Sequence, residues 1–277
     1  MPRETERKVK ARKESLNLAD QDEMASPMMP SQLKGRKEMA RPYVVVLLIV
    51  MMAGTVVFAG ACGVKQVGDL QRQSQSVDVE EARSVRADLR MGAGELYLSG
   101  GADALMEADF SYNVAEWEPE VNYEVKGDTG ELSVKQAIIA GVPVGEARNE
   151  WDIRFNDEVP TDLNVQMGAG ESNLDLDSLT PTGLTLHMGS GKTTVDLTGD
   201  YARNFDASIE GGVGEATVLL PSKVGARVSA DGGLGKINAE GLRRKGDSYV
   251  NDAYGDSEVI VEVDIQGGVG QITLEVV

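Results

Sequence analysis

The sequence predicts an all-β fold: a stacked β-solenoid or β-sandwich-like domain of Gly-x-Gly strand-turn-strand repeats, preceded by a signal peptide or a single membrane anchor. Three observations carry this. First, one phrase, apolar-x-[Met/Gly]-Gly-x-Gly-x-x-x-apolar, keeps returning. It reads LRMGAGELYL (89–98), VQMGAGESNLDL (165–176), LHMGSGKTTVDL (186–197), IEGGVGEATVLL (209–220), ADGGLGKINA (230–239) and IQGGVGQITL (265–274). From Gly170 to Gly235 its second glycines are spaced by 21, 23 and 21 residues, a period typical of stacked repeats in which no unit buries its own apolar face. Second, residues on either side of the glycines alternate with the period of a strand. Third, no long helical periodicity appears after Cys62.

Each copy reads as strand, tight turn, strand. The turn glycines are Gly92 and Gly94, Gly168 and Gly170, Gly189 and Gly191, Gly212 and Gly214, Gly233 and Gly235, and Gly268 and Gly270. Glycine admits positive φ there without a Cβ clash. Before the turn, Leu89, Met91, Val165, Met167, Leu186, Met188 and Ile209 are expected to point inward. After it, the alternation places Leu96, Leu98, Leu174, Leu176, Thr193, Val195, Leu197, Ala216, Val218, Leu220, Ile237, Ala239, Ile272, Leu274 and Val276 inward. Their neighbours Glu95, Asp175, Asp196, Thr217, Asn238 and Thr273 are expected to face water. Coils stacked about 4.8 Å apart would form ladders of like residues. Periodicity alone does not separate a solenoid from a sandwich of similar hairpins.

Taken in order, residues 1–38 form a polar extension without periodicity. Met39 could also serve as the start, since residues 39–62 make a compact bacterial signal sequence by themselves. Tyr43 to Ala61 is apolar throughout, long enough for a bilayer span or a signal-peptide core. Cys62 follows and is the single cysteine. Ala59-Gly60-Ala61-Cys62 resembles a lipobox, in which the cysteine is lipidated, although Ala59 stands where Leu is usual. The same residues suit ordinary signal cleavage, or an uncleaved anchor with Arg36, Lys37 and Arg41 on the cytoplasmic side. All three readings place residues 63–277 outside the cytoplasm. Residues 63–76 read as a polar tether. Residues 77–165 form an N-terminal β region with alternating runs, a hairpin signal at Gly127-Asp128-Thr129-Gly130 and both tryptophans. Residues 166–277 carry the repeats nearly without a break, with turns at Thr180–Gly183, Gly199-Asp200, Pro221-Ser222 and Arg243–Asp247.

Composition narrows the function. Residues 63–277 hold 17 basic and 38 acidic side chains, a formal charge of −21, which argues against nucleic acid because a phosphate backbone demands a basic face. One cysteine and one histidine leave little for metal sites or nucleophilic triads, and no disulfide can form within the chain.

The stretches SVRADLRMGAGEL (84–96), AEWEPEVNYEVKGDTGELSV (115–134), NEWDIRFNDEVPTDLNVQMGAGE (149–171), IEGGVGEATVLLPSKVGARVSADGGLG (209–235) and YVNDAYGDSEVIVEVDIQGGVGQITL (249–274) together resemble the toast-rack family of bacterial envelope proteins. That family is related to the C-terminal β-domains of cell-wall-active antibiotic response proteins. The resemblance covers residues 77–277. It implies a stacked β-fold on the outer face of a membrane, with envelope-stress sensing or surface interaction among relatives, and no catalytic residues.

Motifs that suggest chemistry fail at a defining position. Met188-Gly189-Ser190-Gly191-Lys192-Thr193-Thr194 looks like the end of a phosphate-binding loop, but Leu186 stands where its first glycine belongs and a strand pattern follows the lysine. The GGxG copies resemble a calcium-binding nonapeptide repeat, yet Ala216, Ile237 and Ile272 occupy its aspartate position. Asp175 and Asp177 read as a solvated edge, His187 as a surface residue, and Trp117 and Trp151 as core. The expected function is a non-enzymatic extracytoplasmic binding or structural module, lipid-anchored and linked to envelope stress. It needs no cofactor, metal or nucleotide, and its partners are the membrane and a cationic peptide or envelope protein. The alternatives are a carbohydrate-active enzyme on the same scaffold and a sensory ectodomain modulating a membrane partner.

Overall fold

The computed structural model describes residues 64–137 and 142–277. The apolar run Tyr43–Ala61 and the lipidation candidate Cys62 lie outside them. Among the described residues no helix is long and apolar enough to cross a membrane. The chain forms β1 (Val64–Gln66), β2 (Gln71–Val77), β3 (Ser84–Ser99), β4 (Met106–Tyr112), a short 3-10 turn (Ala115–Trp117), β5 (Pro119–Lys126), β6 (Thr129–Gln136), β7 (Val142–Val144) and β8 (Asn149–Phe155). There follow β9 (Thr161–Asp175), β10 (Pro181–Asp196), β11 (Phe205–Leu220), β12 (Gly225–Asp231), β13 (Leu234–Glu240), β14 (Arg243–Lys245), β15 (Ser248–Val250) and β16 (Ile260–Val276). The all-β expectation holds.

Chain length dictates how the long strands are arranged. β9 and β10 pair in parallel with their repeats in register, and five residues connect them. A straight strand of this length advances about 50 Å, whereas five residues reach at most roughly 20 Å. The chain can start a parallel neighbour only if each strand folds back on itself. It does so at Gly-x-Gly: Leu163, Val165 and Met167 are buried before the crease, and Ser172, Leu174 and Leu176 after it. In a straight strand residues 167 and 172 would face opposite sides. The second arm of each strand thus serves as the crossover that parallel pairing requires.

The expected tight turn is therefore a crease inside one continuous strand. Pairing carries through it, with Gly94, Gly170, Gly191, Gly214 and Gly270 side by side across β3, β9, β10, β11 and β16. Gly191 shows why glycine stands there. Its φ is +131°, and a Cβ would overlap the Gly170 carbonyl.

Among the described residues fourteen strands form one open sheet, creased along this glycine row. The first arms are flanked by β6 and β5 on one side and by β12, β15 and β14 on the other. The second arms are flanked by β8, β4 and β2 and, at the far end, by β13. Two features depart from a simple linear repeat. The fifth copy is broken into β12 and β13 at Gly232-Gly233, and β16 sits between it and β11. In addition, Gln71–Ser76, read as tether, belongs to β2, an edge strand paired with β4. Its Gln/Arg/Ser composition gives no apolar face, as befits an edge.

Apolar side chains of both arms and of the region before residue 166 form one cluster. Phe110 and Trp151 meet edge-on at 5.5 Å within it. The inward Ser172 and Thr193 satisfy each other by a 2.9 Å hydrogen bond, which spares two buried hydroxyls an unmade bond.

Candidate functional site

On the outer face of the first arms, the residue preceding each [Met/Gly]-Gly stands beside its counterparts. Register joins Arg90 to Gln166, Gln166 to His187, His187 to Glu210, Glu210 to Gln266 and Gln266 to the shorter Asp231 of the broken copy, which stands outside the groove lining. At the β6 and β5 end the row continues through Lys135 to Glu120. Seven adjacent strands thus contribute one long polar side chain each, over about 29 Å at ~4.8 Å per strand.

These residues line an open groove of about 1520 Å³. Its floor is the row of first glycines, Gly92, Gly168, Gly189, Gly212 and Gly268, and Trp117, Gln136 and Ala137 stand at its β5–β6 end. The stack itself keeps the floor free of side chains. A Cβ on Gly189 would overlap the Gly168 carbonyl, and one on Gly212 the Gly189 carbonyl. At the end of the floor the Gln136 amide stands in for a further coil, its Oε1 accepting from the Gly92 N–H at 2.8 Å and from Asn149 Nδ2 at 3.0 Å.

Several side chains of the row are paired. Arg90 and Lys135 lie 2.9 and 3.5 Å from Asp88, and His187 Nδ1 lies 2.9 Å from Glu210 Oε2. Apart from the half-buried Asp88 the partners are exposed, and such pairs are worth roughly 0–1 kcal/mol each; they orient side chains more than they stabilise the fold. A second cavity of about 40 Å³ lies inside the crease among Ile209, Ile265, Ile272 and Met188. It exists because Gly211 and Gly267 stand in register with Met188, Met167 and Met91. It is far smaller than a ligand pocket.

The residues singled out in the sequence fall as follows. The twelve glycines line the crease in two rows. In the second row all but Gly235 have positive φ; in the first, only Gly233 does. Segment 188–194 is continuous strand within β10, with no helix after Lys192. His187 faces outward as expected, but with Glu210 as partner. Trp151 is fully buried and Trp117 nearly so. Among the described residues no three His, Cys, Asp or Glu side chains gather as a metal site. The Asp175 carboxyl is held above its usual range by burial and by the nearby carboxylates of Asp177 and Asp196. Burial pushes the Tyr201 phenol up strongly; its hydroxyl donates to the Leu176 carbonyl at 3.2 Å and its ring meets Phe205 edge-on. Both roles are structural. The groove was not foreseen. Its one sequence signal is the polar residue before [Met/Gly]-Gly in every copy.

No curated protein matches the chain. A candidate adhesin from Bacteroides fragilis covers 76% of it and 99% of its own length at 14% identity and a TM-score of 0.28. A candidate lipid-binding protein from Parabacteroides distasonis covers 74% and 98% at 9% and 0.25. These likenesses are too distant to bear on function. A candidate cell adhesion protein from Clostridium sporogenes is much nearer, at 37% identity and a TM-score of 0.74 over 76% of this chain and 100% of that one. Residues 66–219, more than half of the chain, match the family described as the N-terminal domain of toast_rack (DUF2154). The creased stack with its glycine rows is thus the fold of a family member: the chain belongs to the toast-rack family.

Proposed function

We propose that this protein is a non-enzymatic binding module on the outer side of the bacterial envelope, acting in adhesion by surface contact. The groove carries this reading, because its walls offer hydrogen-bond donors and acceptors without an arrangement for chemistry. Its two carboxylates, Glu120 and Glu210, are five strand spacings apart in the row, about 24 Å. Glycoside hydrolysis needs a pair within roughly 5–9.5 Å. The Clostridium sporogenes relative, a candidate cell adhesion protein, supports the same use. Lipidation of Cys62 would hold the domain at the membrane, and the acidic exterior would steer cationic envelope partners toward it. Envelope stress is the setting the family resemblance suggests.

Surface labelling of intact cells and detergent partitioning test the placement; loss of attachment on deleting the protein tests the role. We expect the wild type to be surface-accessible and in the detergent phase, and Cys62→Ala to leave that phase. An unmodified Cys62 in the mature protein would remove the lipid anchor. Unchanged attachment after deletion would remove the adhesion reading.

A further inference from the structure

Resting on that reading, we infer that the groove binds an uncharged linear polysaccharide laid along the stack axis, across the strands. The first argument is size. About 1520 Å³ exceeds the roughly 300–1,000 Å³ of small-molecule pockets, and the groove runs over seven strands. An extended polymer fits it and a compact metabolite leaves it mostly empty.

The second argument is spacing. A ligand along the axis meets one side chain per strand, every ~4.8 Å, whereas an extended peptide presents side chains to one face only every ~6.6–6.8 Å. Over the length of the row a peptide would fall out of step. A sugar ring in an extended chain advances by close to one strand spacing and stays in step. The floor also offers a peptide no free strand edge, because β9, β10 and β11 are paired on both sides. Strand addition, the usual peptide mode on sheets, is therefore closed here.

The third argument is chemistry. Gln166 and Gln266 each donate and accept, Arg90 donates, Glu210 accepts, and His187 can do either. Interleaved donors and acceptors suit hydroxyl groups, which are both. The cations of the row, Arg90 and Lys135, are paired with Asp88, and the carboxylates Glu120, Glu210 and Asp231 stand apart from one another along it, so no run of like charge selects a charged polymer. The glycine backbone of the floor, bare of side chains, lets the C–H faces of the rings approach closely.

The test is titration of the full-length chain in detergent with β-1,4-linked N-acetylglucosamine oligomers, from disaccharide to hexasaccharide, with oligolysine as the competing class. We expect the hexasaccharide to bind at least about tenfold more tightly than the disaccharide, as a multi-rung site requires. Affinity should change by less than about twofold between low and moderate salt, because no net charge is screened. Gln166→Ala and His187→Ala should each weaken the hexasaccharide by roughly threefold to tenfold, the worth of a hydrogen bond, without lowering the melting temperature. Thr185→Ala, outward on β10 but outside the groove lining, should leave binding unchanged. Oligolysine binding that Gln166→Ala abolishes would overturn the inference in favour of a cationic peptide. Hexasaccharide binding indifferent to both groove variants would overturn it too. If the hexasaccharide does not bind yet deletion still abolishes attachment, the polysaccharide falls and the adhesion reading stands. If both results are negative, both fall.

Discussion

At the scale of single residues, Gly191 and Gly211 should respond in opposite senses to alanine. Gly191 combines a φ of +131° with a carbonyl where its Cβ would go; Gly211 has neither, with nothing within 4 Å of the Cβ position. Thermal unfolding should show Gly191→Ala losing more than about 2 kcal/mol, and Gly211→Ala gaining roughly 0.4–1 kcal/mol by restricting the unfolded chain. A similar effect at both sites would mean that the crease is not held by the glycine rows. Asp175 supplies a pH test. Its folded-state pKa is raised, chiefly by burial and then by Asp177 and Asp196. The charged form is therefore disfavoured by folding, and its contribution improves as pH falls through the folded pKa and worsens as pH rises through it. Asp175→Asn should stabilise at neutral pH by a few tenths of a kcal/mol, as suits like charges near water, and the gain should vanish below the carboxylate range. Asn keeps the side-chain oxygen that accepts the Asp177 N–H. The sequence marks all twelve glycines as turn residues, but their division of labour becomes visible only when coils are stacked. The first row answers mainly to a neighbour's carbonyl, whereas the second meets such a carbonyl at still closer range and, at all but Gly235, adds a positive φ.

At the scale of the strand, alternation predicted the buried faces correctly because a one-residue slip would turn the whole apolar set to water. Val218 is buried between Val195 and Leu274 in the row, whereas Thr217 faces out between Thr194 and Thr273. Val218→Asp should cost several kcal/mol by burying an unpaired carboxylate, and Thr217→Asp should stay within about 0.5 kcal/mol. Equal losses in denaturant unfolding would place β11 one residue out of register. Ala216, Ile237, Ala239 and Val276 point inward but are only partly buried. The continuity of strands through the glycines was hidden, since glycine pairs reads equally as hairpin turn or crease. β2 was hidden for another reason: Gln71–Ser76 has polar residues on both faces, and an edge strand has no composition of its own to separate it from a linker.

For the molecule as a whole, repeats suggest an order in space equal to the order in sequence, and here the two differ. The last copy, β16, lies between β11 and the broken copy β12–β13, so the C-terminal strand is interior to the stack. Nothing local records this, because each copy presents the same glycines and the same alternation to either neighbour. The groove escaped the sequence for the same reason: its walls come from seven strands spread between Arg90 and Gln266. The inserted strand makes a prediction that a linear solenoid would not. In a linear stack, stability is nearly a sum over repeats and nearest-neighbour contacts, so losing a terminal repeat costs one repeat and one interface. A chain ended before Ile260 would lose both interfaces of β16 at once. It would strip the partner from β11, leave β12 and β13 without their parallel neighbour, and expose Val218, Leu220, Ala207 and Ile209 along the opened edge. We therefore expect this truncation to abolish cooperative unfolding of the whole domain and to yield an aggregation-prone chain, as an exposed apolar edge strand does. Circular dichroism melts and size-exclusion chromatography would show it. A soluble monomer melting only a few degrees below the full chain would mean that β16 is a peripheral cap.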